Sequence, residues 1–281
     1  MAAKSNEQPH AAPSQPAQNG FSLISNDKLL QLYSTMLKSR MMAERIRILF
    51  KQNNFSANGS LVVGHEAAAV GVAIDLAPED TVAPPPGDLI PCFINGLPLE
   101  KLFGGLFHPL APSPGIAARL KIAADAAMAN KLNKNNKIAI AFSTGEPASL
   151  GPWHQALSFA GLHGLPMIFV SWMKSIPLKT KACGFPAITV DGNDAVAVYR
   201  VASEAIAHAR KGNGPTLIEC QRWKAGDPIL TMEKYLICKG LFSEGYKAEV
   251  AAAFNKELDA AIETAKKLSL HPGQPNDRVW V

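Results

Sequence analysis

Apolar residues recur at helical spacing from Asp27 to about Gln52, with Leu29, Leu32, Met36, Met41, Ile46 and Leu49 on one side and Ser25 or Asn26 placed to cap the start. Farther along, the period changes. Ile138–Phe142 is a short, continuous apolar run, the signature of a strand buried on both faces. A turn at Ser143–Pro147 leads to a helix that Ser149 caps, on which Trp153, Leu157 and Ala160 or Gly161 share a face. Gly164-Leu165-Pro166 ends that helix, and Met167–Val170 reads as a second buried strand. The alternation continues with a strand over 186–190, a capping segment at Asp191–Asp194, and a helix over Ala195–Lys211 carrying Val198, Val201, Ala202, Ile206 and Ala209 at helical spacing. A further strand spans Gly214–Cys220. Helices are predicted over Leu99–Phe107, over the alanine-rich Ala117–Leu132, and over 232–240 and 244–268. Strands alternating with helices predict an α/β fold, a parallel sheet flanked by helices on both faces. Ligands of such sheets bind at the carboxyl ends of the strands, which directs attention to the turns at 143–147 and 171–175.

Composition narrows the picture. Residues 1–22 are rich in Pro, Ala, Gln, Ser and Asn with little to bury, and read as a disordered tail. Residues 23–270 form the folded domain, and 271–281 a loose C-terminal tail. Only 18% of the 281 residues are charged, against roughly 25% in typical chains, which suits a subunit that buries surface in an oligomer. The net charge of +5 is dispersed, with no Lys/Arg run interleaved with aromatics, so nucleic-acid binding is not expected. No apolar run approaches the roughly 20 residues that span a bilayer, so no membrane association is expected. The four cysteines, Cys92, Cys183, Cys220 and Cys238, form no CxxC pair and read as reduced thiols of a cytoplasmic protein.

Several segments carry a resemblance. Gly151–Ala160 and Leu165–Val170 resemble a helix and strand of the α subunit of thiamine diphosphate-dependent 2-oxo acid dehydrogenase E1 components, of the pyruvate and branched-chain type. Leu32-Tyr33, Met36 and Arg40 are similar to the family's first helix, and Gly64–Gly71 to its Gly-Gln-Glu-Ala helix, with His65 in place of Gln. Val190–Asp194, followed by Gly214–Glu219, is the most specific match. The resemblance covers about residues 25–270 and implies the thiamine-diphosphate-binding fold. It further implies an E1β-like partner in an α2β2 assembly, a homo-oligomer being the other option.

The same resemblance exposes departures. The family's metal-binding Asp falls on Gly145, or on Glu146 after a one-residue slip, and its Asn pair falls on Met173-Lys174. Magnesium takes hard oxygen donors, which neither a methionine nor an ammonium supplies. Pro86-Gly87 replaces a Tyr-Arg phosphate clamp, Leu89 and Ser60 stand where the family has histidines, and the Gly-His-Ser loop is missing between Ala225 and Asp227. By position, Gly145, Glu146, Lys174 and His65 are the candidate cofactor-binding residues; no catalytic residue and no metal ligand is assigned. Two readings follow. One is a catalytically degenerate E1α-like protein with no cofactor and a structural or regulatory subunit role. The alternative is an active E1α subunit that uses thiamine diphosphate and Mg²⁺ to decarboxylate a 2-oxo acid and pass the acyl group to a lipoyl carrier.

Overall fold

The computed structural model describes residues 24–52, 64–85, 88–107, 115–143, 150–172, 184–221 and 226–269. Five strands form one sheet: β1 (Thr81–Ala83), β2 (Ala139–Ser143), β3 (Met167–Ser171), β4 (Ala187–Asp191) and β5 (Thr216–Gln221). Their spatial order is β1-β2-β3-β5-β4, and every neighbouring pair is parallel. The register sets Ile140 beside Ile168 and Ser143 beside Ser171. The predicted α/β architecture, a parallel sheet flanked by helices, is therefore what the chain adopts. The two central strands β2 and β3 are buried throughout, which is why they read as unbroken apolar runs rather than as alternation.

Helices cover both faces. On one face, α5 (Ile116–Leu132) and α6 (Leu150–His163) pack Ala123, Ala127, Trp153, Leu157 and Ala160 against Ala139, Ala141, Met167 and Phe169. The choice left open between Ala160 and Gly161 falls to Ala160, which is buried. On the other face, α2 (Glu66–Ala73) and α7 (Ala195–Arg210) meet Ile140, Phe142, Ile168, Val170 and Ile218. All eight residues of α2 are buried, because it is enclosed by the sheet, α7 and α1 (Asn26–Gln52). That enclosure explains a sequence of small residues without amphipathic period. At Gly71 a Cβ would stand 2.8 Å from Val198 Cγ1, so the α2–α7 approach requires glycine there. Beyond these layers, α3 (Ile90–Ile94), α4 (Leu99–Phe107) and α9 (Glu244–Ser269) build a further apolar cluster with the second half of α1. Finally, α8 (Pro228–Cys238) packs on the first half of α1.

Several predicted details are refined. Ser25 is the residue that caps α1, its Oγ accepting from the Lys28 amide at 3.2 Å. On α1 it is Met42 that is fully buried, while Met41 is only half-buried. On α7, Val201 is likewise half-buried and Ala205 takes the core position. Asp194 caps α7 as expected, accepting from Val196 and Ala197 at 3.0 Å each. The helix expected from residue 232 begins at Pro228 instead, since Asp227 caps it and proline suits the first helical position. The short helix α3 was not anticipated. The 1–22 and 271–281 tails and the Ser149 cap lie outside the described residues.

At the amino ends of the strands, one carboxylate does most of the joining. Asp80, its side chain fully buried, accepts from the Ile138 amide (2.9 Å), the Ala77 amide (2.8 Å) and the Arg210 guanidinium (2.6 and 3.2 Å). Arg210 also donates to the carbonyl of Asn136 at 2.6 Å. This ties the entries of β1 and β2 to the end of α7 and leaves the opposite end of the sheet as the place for a site.

Candidate functional site at the carboxyl ends of the strands

The carboxyl ends of β2 and β3 meet the amino end of α2. The pleat sends Phe142 to the α2 face and Ser143 to the other, and likewise Trp172 and Ser171. Trp172, the residue directly after β3, packs against Phe142 with ring centroids 5.4 Å apart, and against His65 at 5.4 Å. His65 stands at the N-cap of α2 and gives that helix no side-chain cap. The candidate His65 thus stands at the carboxyl end of the sheet, on an aromatic stack. Trp172 is only 7% exposed, and its indole N–H finds no hydrogen-bond acceptor among the described residues. Gly145, Glu146 and Lys174 lie outside the described residues, as do Ser60, Pro86, Gly87 and Met173.

Beside the stack lies a group of charged residues whose pairing sequence reading did not bring out. Glu66, in the first turn of α2, has a fully buried carboxylate that folds back to accept from the Gly64 amide at 3.0 and 3.1 Å. The same carboxylate takes two hydrogen bonds from Arg40 on α1, at 2.5 and 3.0 Å. Glu66 therefore ties the segment entering α2 to α1 through a bidentate ion pair. Arg40 turns its remaining face to Asp227, the cap of α8, at 2.8 and 3.2 Å. These bonds, those to Glu66 first, raise the Arg40 guanidinium further above its ordinary range; Arg40 in turn holds the Asp227 carboxyl below its own. One and a half turns along α8, Glu233 accepts from the buried Tyr33 hydroxyl at 2.8 Å and pairs with Lys247 at 2.9 Å. Burial first, then Glu233, pushes the Tyr33 hydroxyl above the usual phenol range. Arg40 and Tyr33, two turns apart on α1, therefore pin α8 at two points. The sequence signal was available: Arg40, Glu66 and Asp227 all fall in segments that resemble the family, but 187 residues separate the outermost two.

Toward β1, Asp88 is buried and accepts from the Ile90 amide at 2.9 Å. Burial pushes its carboxyl up to about 6, the Ile90 amide opposes this, and the negative charge of Glu66 adds to it. Cys92 lies close enough to Asp88 for that charge to reinforce burial, which pushes the thiol up to about 12; a thiol held protonated this way is a poor nucleophile. Arg119, buried near the start of α5, donates to the carbonyl of Pro84 just past β1 at 3.1 Å, and burial lowers its guanidinium from the ordinary value.

The chemistry of this end can be stated. A diphosphate with its magnesium calls for two or more uncommitted oxygen ligands and a cationic clamp. Here the Glu66 carboxylate is taken up by Arg40 and Gly64, one Asp88 oxygen by Ile90, and the space after β3 by an indole. No group of three His, Cys, Asp or Glu among the described residues is arranged to hold a metal ion. The described donor set does not fit a magnesium diphosphate.

An open parallel sheet covered by helices on both faces, with a helix start aimed at the carboxyl ends of its central strands, is the arrangement of the thiamine-diphosphate-binding fold. Comparison with known proteins specifies the group. The model of the family described as "Dehydrogenase E1 component" matches residues 110–226. The pyruvate dehydrogenase E1 component subunit alpha of Staphylococcus aureus strain Mu50 is 27% identical over 293 residues, covering 86% of this chain and 79% of the relative. Its counterpart in Staphylococcus epidermidis strain ATCC 12228 is similar to the same extent. Over most of its length the chain is similar to these E1 α subunits. Among the described residues no helix is long and apolar enough to cross a membrane.

Proposed function

We propose that this chain is a catalytically degenerate E1α-like subunit, cytoplasmic, with a structural or regulatory role in an oligomer and no thiamine diphosphate of its own. On this reading residues 23–270 are its folded unit. The observation that carries the reading is the end of β3. There Trp172 fills the space between Phe142 and His65, and the next two residues are Met173-Lys174, where the resemblance calls for oxygen ligands. Loss of the metal ligands, of the phosphate clamp at Pro86-Gly87 and of the Gly-His-Ser loop removes three separate requirements of the cofactor. Restoring any one of them leaves the other two unmet. What persists is the scaffold: Arg40 and Tyr33 hold α8 in place across the short connection that replaces the loop.

Isothermal titration calorimetry of the full chain, alone and co-expressed with an E1β-like subunit, tests the proposal. The expected result is no saturable heat on adding thiamine diphosphate with Mg²⁺. Saturable micromolar binding abolished by Glu146→Ala or Lys174→Ala would overturn it and make those residues substitute ligands in an active subunit.

A further inference from the structure

We propose that the face of the molecule at the amino ends of the strands is a docking surface for an acidic, amphipathic segment of a partner protein. Positive charge that is dispersed along the sequence is gathered there by the fold. Lys131 lies in the last turn of α5, Lys134 and Lys137 in the connection to β2, and Lys211 at the end of α7; all four are exposed. Hydrogen bonds and one close backbone approach hold these ends together. Lys131 Nζ donates to the carbonyls of His163 and Gly164 where α6 stops, at 2.5 and 3.1 Å. Gly164 in turn lies against Gly214, just past α7, where a Cβ would stand 3.7 Å from the Gly164 Cα. Arg210, next to Lys211, donates to the carbonyl of Asn136, next to Lys137. Arg210 and the buried Asp80 neutralise each other, and Glu79, exposed just before β1, is the acid that faces the lysines. Among the described residues, Lys134, Lys137 and Lys211 pair with no carboxylate.

Two further features set this face apart from an ordinary solvated surface. Lys134 has φ 50°, and among the described residues it is the one non-glycine in the left-handed region. It closes α5: the Asn135 amide reaches back to the Asn130 carbonyl across it, the helix ending in which glycine or asparagine is the usual residue. Asparagines flank it on both sides, yet the strained position itself holds a cation. Next to the Lys131 junction stand Leu132 and Leu162, 74% and 82% exposed. Uncommitted ammonium groups beside projecting leucines suit a partner that offers carboxylates and apolar side chains together, as an acidic amphipathic helix does. Nucleic-acid contacts lean on the arginine fork, and Arg210 is already committed to Asp80 and Asn136. Clusters that hold anionic membranes run to about four to eight cations, more than the three uncommitted lysines here.

The surface lies at the opposite end of the sheet from the strand ends that cofactor calorimetry reports on, so either reading can fail alone. Fluorescence anisotropy of the full chain tests it. The probe is a labelled synthetic peptide of about five helical turns, with leucines on one face and glutamates on the other. Controls are the same composition with the spacing scrambled, single-stranded DNA of equal charge, and vesicles containing phosphatidylserine. The helical peptide should bind saturably, with a Kd of about 10–100 μM that weakens as salt is added. Lys134→Glu, Lys137→Glu and Lys211→Glu combined should weaken it by at least about tenfold, and Leu162→Asn by about tenfold. Lys134→Asn separates docking from a structural role: it should raise Tm by relieving the backbone and yet weaken binding about threefold. Circular dichroism should remain unchanged in these surface variants. No binding up to about 1 mM, binding indifferent to the charge reversals and to Lys134→Asn, or equal binding of the scrambled peptide would overturn the proposal. Tighter binding to the DNA or the vesicles than to the peptide would overturn it as well.

Discussion

The two ends of the sheet bury charge in different ways. At the amino ends, Asp80 takes hydrogen bonds from two amides and a guanidinium, and Arg210 spends its remaining capacity on the Asn136 carbonyl. At the carboxyl ends, Glu66 is equally well paired, but around it stand groups with less to hold them. Among the described residues, Asp88 takes an amide on one oxygen and the Trp172 indole N–H has no acceptor. The Asp80–Arg210 network contributes rigidity, whereas the more sparsely bonded Asp88 and Trp172 stand at the end where a fold of this kind ordinarily meets a ligand. On the function proposed above, the chain keeps the frame of a site whose described carboxylates are already paired.

This contrast is open to direct attack by mutation. The largest effect is expected at the saturated end: Asp80→Ala strands Arg210 and two amides, and should lower stability in urea by about 4 kcal/mol, as for one half of a buried pair. A cost under about 1 kcal/mol would show that the amino end is no tighter than the other. Next, Arg40→Met leaves the buried Glu66 carboxylate without its cation and removes the tether to α8. A loss of about 3 kcal/mol is expected, largely relieved by pairing it with Glu66→Gln, since the double variant no longer buries a charge.

Asp88 supplies a pH signature that sharpens the comparison. Its folded carboxyl sits at about 6, above the roughly 3.9 of an unfolded chain. A group raised on folding stabilises fully below the lower value, and that contribution is lost as pH rises through the upper one. Between about pH 4 and pH 6 the native protein should therefore lose up to roughly 1.4 kcal/mol per pH unit relative to Asp88→Asn. Parallel pH profiles for the two proteins would show that Asp88 is not strained by its burial. The smallest effect is expected at Trp172→Phe. The ring contacts with Phe142 and His65 are largely kept and an unpaired buried donor is removed, so stability should change by less than about 1 kcal/mol. A loss of several kcal/mol would mean that the indole N–H is bonded after all.

Much of the frame was legible without coordinates. Ile138–Phe142 and Met167–Val170 announced buried parallel strands because a strand enclosed on both faces has no polar alternation to show. Asp194 announced the start of α7 because a cap is a local hydrogen bond within three residues. Local rules failed where the environment was tertiary. The start of α8 is marked not by an apolar period but by the Asp227-Pro228 pair, a cap followed by a proline at the first helical position. Met41 and Val201 kept the helical period yet lost the core position to Met42 and Ala205, since the direction of an apolar face depends on what the helix is packed against.

The chain by itself determined the class of fold, the end of the sheet where a site belongs, and the absence of family ligands at Gly145, Met173 and Lys174, all of which are matters of residue type at a known spacing. Only the tertiary structure decided that Arg40 joins Glu66 to Asp227, that Asp88 lies near Glu66, that His65 is stacked on Trp172, and that the ends of α5, α6 and α7 bring lysines and two projecting leucines together. Those facts depend on groups far apart in the chain becoming neighbours, and on how much water is left between them. Residue spacing along the chain carries neither.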